Sequence, residues 1–336
     1  MNRAIRWGSM ILAVLVAGGV VRAQTGSLSE ADQHAVAEAN KYMERANKFV
    51  QDNSYARAKA EYLKALKVFP QHLDALYNLA VVCGRLNENE EAVRLYQRYL
   101  ELRPHDADVW TQLGVCYDEM NRRLEAQAAY EKALAANPKF GRAHHNLGIV
   151  LEEQGKLDQA QEQLETFLKL EEASGTASGD AYYSLGTLHL RRGQIKQAKL
   201  LLQKAVDFDP SVPHYNNAMG DVYLAERNTE MAVVAYKKAI ERAPKYAPAW
   251  SGLGDAYRVQ GEHDKAATAY HKALELRSDY ALVHYKLGLL EAERAPAEAI
   301  KHFEIYLASG KNLQFVKEAN DQIEKLKQTK SSPPPK

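Results

Sequence analysis

Histidine is the side chain best suited to hold a metal ion or transfer a proton near neutral pH, and this chain has 11 of them. His144 and His284 stand where Trp110 and Trp250 stand in their own segments of the chain. That equivalence favours the packing of an aromatic ring over metal coordination. His145 follows His144 directly, and adjacent residues on a helix do not face each other. The histidines therefore predict no metal site.

The sequence also lacks the motifs of nucleophilic and phosphate chemistry. It contains no H-E-x-x-H, no G-x-S-x-G and no glycine-rich phosphate loop. Cys83 and Cys116 are too few for a disulfide framework and lack metal-ligand spacing. A bond between them requires Cα atoms within about 7 Å, and buried free thiols are the expected form. We therefore expect a protein that is not an enzyme and that carries no cofactor or metal.

Composition points to a folded protein that does not bind nucleic acid. Hydrophobic residues make up 46% of the chain and charged residues 26%, as in ordinary globular proteins. The 44 lysines and arginines are balanced by 43 aspartates and glutamates, for a net charge of +1. A chain without a basic excess has no general attraction to a polyanion.

The first 23 residues have the pattern of a secretory signal peptide. Arg3 and Arg6 precede an apolar run, Met10–Val21, that is too short to span a membrane. Small or apolar residues around Ala23 supply a cleavage site. We expect cleavage after Ala23 and a secreted or periplasmic protein without membrane insertion. An uncleaved, N-terminally anchored chain is the alternative.

Prolines recur at a fixed interval along the rest of the chain. Pro70, Pro104 and Pro138 are 34 residues apart, and so are Pro210 and Pro244. Other residues return with the same period: Trp110-x-x-Leu113-Gly114-x-x-Tyr117 recurs as Trp250-x-x-Leu253-Gly254-x-x-Tyr257. An alanine also precedes an aromatic by four in most periods, as in Ala58 and Tyr62, Ala92 and Tyr96, Ala126 and Tyr130, Ala232 and Tyr236, and Ala266 and Tyr270.

These spacings place the recurring residues on one face of each of two helices per period. Glycine on the first helix lets the second helix approach closely, and proline ends the second helix. The pattern and its period resemble the tetratricopeptide repeat family. The resemblance implies an all-α fold: a right-handed α-solenoid of about eight helix-turn-helix repeats with a C-terminal capping helix.

The predicted organisation follows from this register. A helical lead-in covers 24–38, a capping helix 313–328 and a tail without structure 329–336. The extra residues of segment 171–179 predict a longer, flexible turn between the fourth and fifth repeats. The repeats lie at 39–72, 73–106, 107–140, 141–174, 179–212, 213–246, 247–280 and 281–312.

The resemblance also implies a binding surface, because first helices line the concave side of the solenoid in this family. Asn78 and Asn146 carry amides that both donate and accept hydrogen bonds, which suits an extended peptide backbone. The predicted lining residues are Asp74, Tyr77, Asn78, Asp108, Thr111, Gln112, Arg142, His145, Asn146, Tyr183, Asn217, Asp221, Asp255 and Arg258.

The sequence thus predicts a non-catalytic scaffold or adaptor of the cell envelope that binds a protein or peptide. Two alternatives remain open at this point. One is a regulatory or assembly subunit of an envelope machine, such as a pilus, secretion or glycosyltransferase system. The other is a protein that binds a glycan or a small ligand. The oligomeric state stays open.

Overall fold

A computed structural model describes residues 29–309 and 312–331. The predicted signal peptide and the start of the lead-in lie outside the described residues. Within the described ranges the chain forms 17 helices and no strand, which confirms the all-α fold class. The chain divides into two compact units, with the boundary between Gly175 and Thr176.

Unit one holds eight helices that pair as four hairpins. Ser29 begins the first of them, since its hydroxyl accepts a hydrogen bond from the backbone N–H of Asp32. The predicted lead-in and the first helix of repeat one are therefore parts of one long helix. The helices are α1 Glu30–Gln51, α2 Tyr55–Val68, α3 Leu73–Arg85, α4 Asn89–Leu102, α5 Ala107–Glu119, α6 Arg123–Ala136, α7 Gly141–Glu153 and α8 Leu157–Ser174.

Unit two holds four more hairpins and one last helix. The helices are α9 Gly179–Arg191, α10 Ile195–Phe208, α11 Pro213–Ala225, α12 Thr229–Arg242, α13 Ala247–Val259, α14 His263–Leu276, α15 Ala281–Glu291, α16 Pro296–Ser309 and α17 Leu313–Ser331. Helix α17 runs past the predicted end of the capping helix at residue 328. The rest of the predicted tail lies outside the described residues.

In both units the two helices of each hairpin pack against each other. The second helix of one hairpin also packs against the first helix of the next. The odd-numbered helices also contact one another directly, as α5 does with α7 and α11 with α13. Their solvent-facing side, called here the first-helix face, is therefore continuous from one repeat to the next within a unit.

Glycine and an aromatic ring set the distance between the two helices of a hairpin. A Cβ atom on Gly114 would stand 2.4 Å from Cε1 of Tyr130, whose side chain is fully buried. The same contact recurs where Gly254 meets the ring of Tyr270. No larger residue fits at these positions without moving the ring, which explains the periodic glycine.

The turn inside each of the first seven hairpins uses one residue in the left-handed region. These residues are Asn53, Asn87, Asn121, Gly155, Gly193, Arg227 and Gly261, which have φ between 55° and 79°. Glycine and asparagine enter this region at low cost, whereas a residue such as arginine pays about 1 kcal/mol or more. Six of the seven turns follow this rule, and the turn at residue 227 does not.

Replacing Arg227 by asparagine is expected to raise the free energy of unfolding by about 0.5–1 kcal/mol, because asparagine tolerates the positive φ. Urea denaturation followed by circular dichroism measures the change. The reverse exchange at an equivalent turn, Asn121→Arg, should lower stability by a similar amount. If both variants were as stable as the parent chain, arginine would cause no strain at these turns.

The extra residues between repeats four and five do not form the flexible turn that the sequence predicted. Helix α8 has 18 residues, whereas the other second helices, for example α6, have 14. Four residues are about one turn of an α-helix, so the insertion lengthens the helix. Gly175 then ends it in the left-handed conformation.

Helix α17 covers the apolar end of unit two. Ala319 and Ile323 on this helix pack with Phe303 and Tyr306 of α16 and with Tyr285 of α15. Without α17 these aromatic side chains would face water. The helix therefore caps the last repeat, as predicted.

Candidate binding surface

The described part of the chain offers no group of three or more histidine, cysteine, aspartate or glutamate side chains that could hold a metal ion. Both cysteines are free and buried. Burial raises the pKa of each thiol to about 12, so neither is a reactive thiolate at neutral pH.

In unit one, three predicted lining residues from three successive repeats form one hydrogen-bonded network. The hydroxyl of Tyr77 on α3 donates to Oδ2 of Asp108 on α5 at 2.9 Å. Arg142 on α7 pairs with Oδ1 of the same carboxylate at 2.5 Å. Asp108 is thus bound from both sides, which ties neighbouring first helices together and leaves the arginine exposed.

Thr111 and Gln112 do not reach solvent and are therefore removed from the predicted lining. Their exposed fractions are 1% and 4%. The hydroxyl of Thr111 donates to the carbonyl of Ala107 at 2.8 Å. Helix α5 is buried on nearly all sides because it contacts both the preceding hairpin and α7, and the repeat pattern alone does not show this.

The other predicted residues of unit one lie at or near the surface. Asp74 is exposed, while Asn78, His145 and Asn146 are half-buried. The ring of His145 lies 4.7 Å from that of Phe167, centroid to centroid. These positions keep polar atoms on the first-helix face beside the Tyr77 network.

Unit two begins with an aromatic group on α9 and α11. The ring of Tyr183 lies 4.7 Å from that of His214 and 5.5 Å from that of Tyr215. Tyr215 donates its hydroxyl hydrogen to Asp180 at 2.7 Å. Burial, followed by this bond to a carboxylate, raises the pKa of Tyr215 well above its usual range.

Farther along unit two, Asp255 holds a lysine. Oδ2 of Asp255 accepts from Nζ of Lys286 at 2.5 Å, and Oδ1 accepts from the hydroxyl of Tyr270 at 2.8 Å. The same ammonium group lies 3.2 Å from Oγ of Ser251. Arg258 is exposed beside the Tyr270 hydroxyl.

Asp221 occupies the corresponding place one repeat earlier. Its carboxylate accepts from the hydroxyl of Tyr236 at 2.6 Å and from the amide of Asn217 at 3.3 Å. The side chain is exposed, yet the crowded protein around it raises its pKa to about 6, chiefly by desolvation. Asp255 adds to the rise and Lys286 opposes it.

The repeat pattern does not point to Lys286 or to the hydroxyl groups of Tyr236 and Tyr270. The recurrence of these tyrosines predicts only that their rings pack inside a hairpin, and the rings are fully buried. Each hydroxyl nevertheless reaches an aspartate 15 residues earlier in the chain. That constant spacing between Asp221 or Asp255 and its tyrosine was a signal in the sequence.

A histidine cluster lies between α15 and α16. Nδ1 of His284 lies 2.9 Å from Nδ1 of His302, and Nε2 of His302 lies 3.6 Å from Oε2 of Glu291. Burial, with help from the neighbouring histidines, lowers the pKa of His302 to about 4. Burial raises the pKa of Glu291.

The lowered pKa of His302 predicts a loss of stability in acid. The unfolded state takes up a proton near pH 6.5, whereas the folded state does so only near pH 4. The free energy of unfolding should therefore fall as the pH drops through this window, by about 1–2 kcal/mol at pH 5. Glu291 acts in the opposite direction, because its pKa is raised on folding.

Urea denaturation at pH 7 and pH 5 tests this prediction. The variant His302→Gln should lose less stability than the parent chain between the two pH values, because glutamine does not titrate. An equal loss in both proteins would show that His302 titrates normally.

Family models for tetratricopeptide repeats match the chain at residues 43–107, 107–140, 140–211, 213–246, 235–268 and 254–292. Together the matches extend over well more than half of the sequence, and they lie within the run of helical hairpins. The chain is a tetratricopeptide repeat protein. No curated protein matches its sequence closely enough to count as a relative.

Solved structures of other repeat proteins share the fold. A chain of the APC/C hetero-tetramer Cut9–Hcn1 is 23% identical with a TM-score of 0.62, over 81% of this chain and 52% of that one. This chain thus spans about half the length of that protein. A tetratricopeptide repeat protein from Parabacteroides merdae is 18% identical with a TM-score of 0.64, over 75% of this chain and 98% of that one. Pseudomonas aeruginosa pilF is 22% identical with a TM-score of 0.55, over 66% of this chain and 97% of that one.

At these identities the likeness shows a common fold and nothing further. Across the part of the chain that the structure describes, none of the helices is both long enough and apolar enough to cross a lipid bilayer.

Proposed function

We propose that this repeat protein is a non-catalytic scaffold that binds a peptide or a protein segment on its first-helix faces. The observation that carries the proposal is the network of Tyr77, Asp108 and Arg142, which presents polar groups from three successive repeats at one surface. Hydrogen-bonding groups repeated at the spacing of the repeats suit an extended chain, which offers a donor and an acceptor at every residue.

Charge and burial support this proposal for the surface as a whole. The odd-numbered helices bury their apolar residues against the hairpins, yet their other side carries amides, carboxylates and tyrosines that no core requires. Asn78 and Asn146 are half-buried, so their amide groups are partly held in place before a ligand arrives. Such preorganisation lowers the entropic cost of binding.

We further propose that the protein acts in the cell envelope, on the basis of the N-terminal segment. The test is N-terminal sequencing of the protein from its own cells together with fractionation. Gln24 as the first residue in an envelope fraction is the expected result. An intact Met1 in the cytoplasmic fraction would overturn the proposed location.

Affinity capture tests the binding function. Tagged mature protein, residues 24–336, is incubated with envelope extract, and the retained proteins are identified by mass spectrometry. The variant Asn78→Ala with Asn146→Ala should lose the retained protein. A matched variant on the exposed side of α8, Gln159→Ala with Lys169→Ala, should retain it. Equal retention by all three would contradict binding on the first-helix face.

A further inference from the structure

Two successive repeats of unit two carry the same set of groups and allow an internal comparison. Asp221 and Asp255 are 34 residues apart, and so are Tyr236 and Tyr270. Each tyrosine donates its hydroxyl hydrogen to its aspartate, at 2.6 and 2.8 Å. The set is therefore one recurring arrangement of a carboxylate and a phenol.

The later copy binds a cation that the chain itself supplies. Lys286 reaches Asp255 at 2.5 Å and Ser251 at 3.2 Å. Its ammonium group lies 6.0 Å from the centre of the Tyr270 ring. A carboxylate, a hydroxyl and the nearby aromatic ring together form a site for a primary ammonium group.

Among the residues that the structure describes, no lysine or arginine forms an ion pair with the earlier copy. The residue 34 positions before Lys286 is Gly252. A Cβ atom there would stand 2.3 Å from Cε1 of Tyr236, so no side chain fits at this position. Among the ion pairs of the described residues none includes Asp221.

The groups that contact Asp221 directly are neutral donors, one of which has an unused acceptor, and Lys286 acts on it only through its charge. Tyr236 and Asn217 donate to the carboxylate. Oδ1 of Asn217 is buried and accepts no hydrogen bond. A buried polar atom without a partner is costly, and an N–H donor from outside the chain would relieve that cost.

From this comparison we propose that Asp221, Asn217 and Tyr236 bind a lysine side chain of the partner, as Asp255, Ser251 and Tyr270 bind Lys286. The inference rests on the proposed function and deepens it by stating one side chain that the ligand must provide. The raised pKa of Asp221 is consistent with it, because desolvation raises this pKa first and the charge of Lys286 offsets only part of the rise. A bound ammonium group would stabilise the carboxylate further.

An array of hexapeptide mixtures tests the proposal. One central position is fixed as lysine, N-acetyl-lysine or glutamate, and the other positions are randomised. The mature chain should bind the lysine set at least about tenfold better than the acetyl-lysine set, because acetylation removes the charge. Asp221→Asn should abolish the difference, whereas Asp321→Asn, at an exposed position of α17, should preserve it.

A second variant works by gain of binding. Lys286→Ala frees Asp255 and should increase binding of the lysine set by about twofold or more, because a second site of the same kind becomes available. Thermal melts monitored by circular dichroism establish that each variant is folded.

Two results separate this proposal from the proposed function. If the protein binds the lysine and acetyl-lysine sets equally well, or binds neither of them, the lysine site is overturned. If envelope capture then still depends on Asn78 and Asn146 but not on Asp221, the scaffold function stands without the lysine site. If neither the Asn78 and Asn146 variant nor the Asp221 variant loses the captured protein, both proposals are overturned.

Discussion

Replacing Phe303 by alanine should lower the free energy of unfolding by about 3–5 kcal/mol, the usual cost of removing a large aromatic side chain from a core. Phe303 is fully buried and lies among Tyr285, Tyr306 and Ile323 at the capped end of unit two. Its ring also fills the space beside Gly288, whose Cβ would meet Cε1 at 2.7 Å. The variant loses both the contact inside the hairpin and part of the contact with the cap.

The same substitution at Phe208 is the matched control, because 59% of that side chain is exposed at the end of α10. It should change stability by less than about 0.5 kcal/mol. Urea denaturation followed by circular dichroism compares the two variants. Because contacts in a repeat protein are mainly between neighbours, we expect the last repeat of Phe303→Ala to unfold separately and earlier than the rest. Equal effects at both positions would contradict the packing of α17 on α16.

Replacing Gly114 by leucine should cost about 3 kcal/mol or more, and by alanine about 1–3 kcal/mol, because both overpack the hairpin. Even the first added carbon would lie 2.4 Å from the buried ring of Tyr130. The ring is fully buried, so moving it would displace closely packed neighbours. The loss should therefore grow with the size of the side chain.

Gly141→Ala is the control for the alanine exchange. Gly141 begins α7, and its added Cβ would lie 3.4 Å from Cδ2 of Phe167, close to ordinary contact. Its stability should match that of the parent chain or exceed it slightly, because alanine is the better helix former. Thermal and urea unfolding should thus show that Gly114→Leu is less stable than Gly114→Ala, and that Gly114→Ala is less stable than Gly141→Ala. Any other order would show that α5 and α6 do not meet at Gly114.

The repeat pattern was enough to predict the hairpins. The spacing of Trp110, Leu113, Gly114 and Tyr117 is a property of one helix, and the 34-residue period requires only that neighbouring segments pack alike. Both are local, so the sequence showed the fold class and the position of the core tyrosines. The cap was predictable for the same reason, since an apolar stripe at the end of an array needs a cover.

The details of the binding surface depend on contacts between repeats, and a periodic pattern does not contain them. Thr111 and Gln112 stand at lining positions in the register, yet the neighbouring helices bury them. Lys286 stands at the position of Gly252, and only the structure shows that its ammonium group reaches Asp255 across the interface between two repeats.

Local spacing thus determined which residues form helices and which side of each helix faces the core, because both follow from 3.6 residues per turn. The way that successive repeats stack decided which polar atoms remain available. The four additional residues of α8 continue a helix because their backbone hydrogen bonds are completed within it until Gly175 ends it. Side chains distant in sequence, such as Tyr236 and Asp221, meet only because two packed helices bring them within hydrogen-bonding distance.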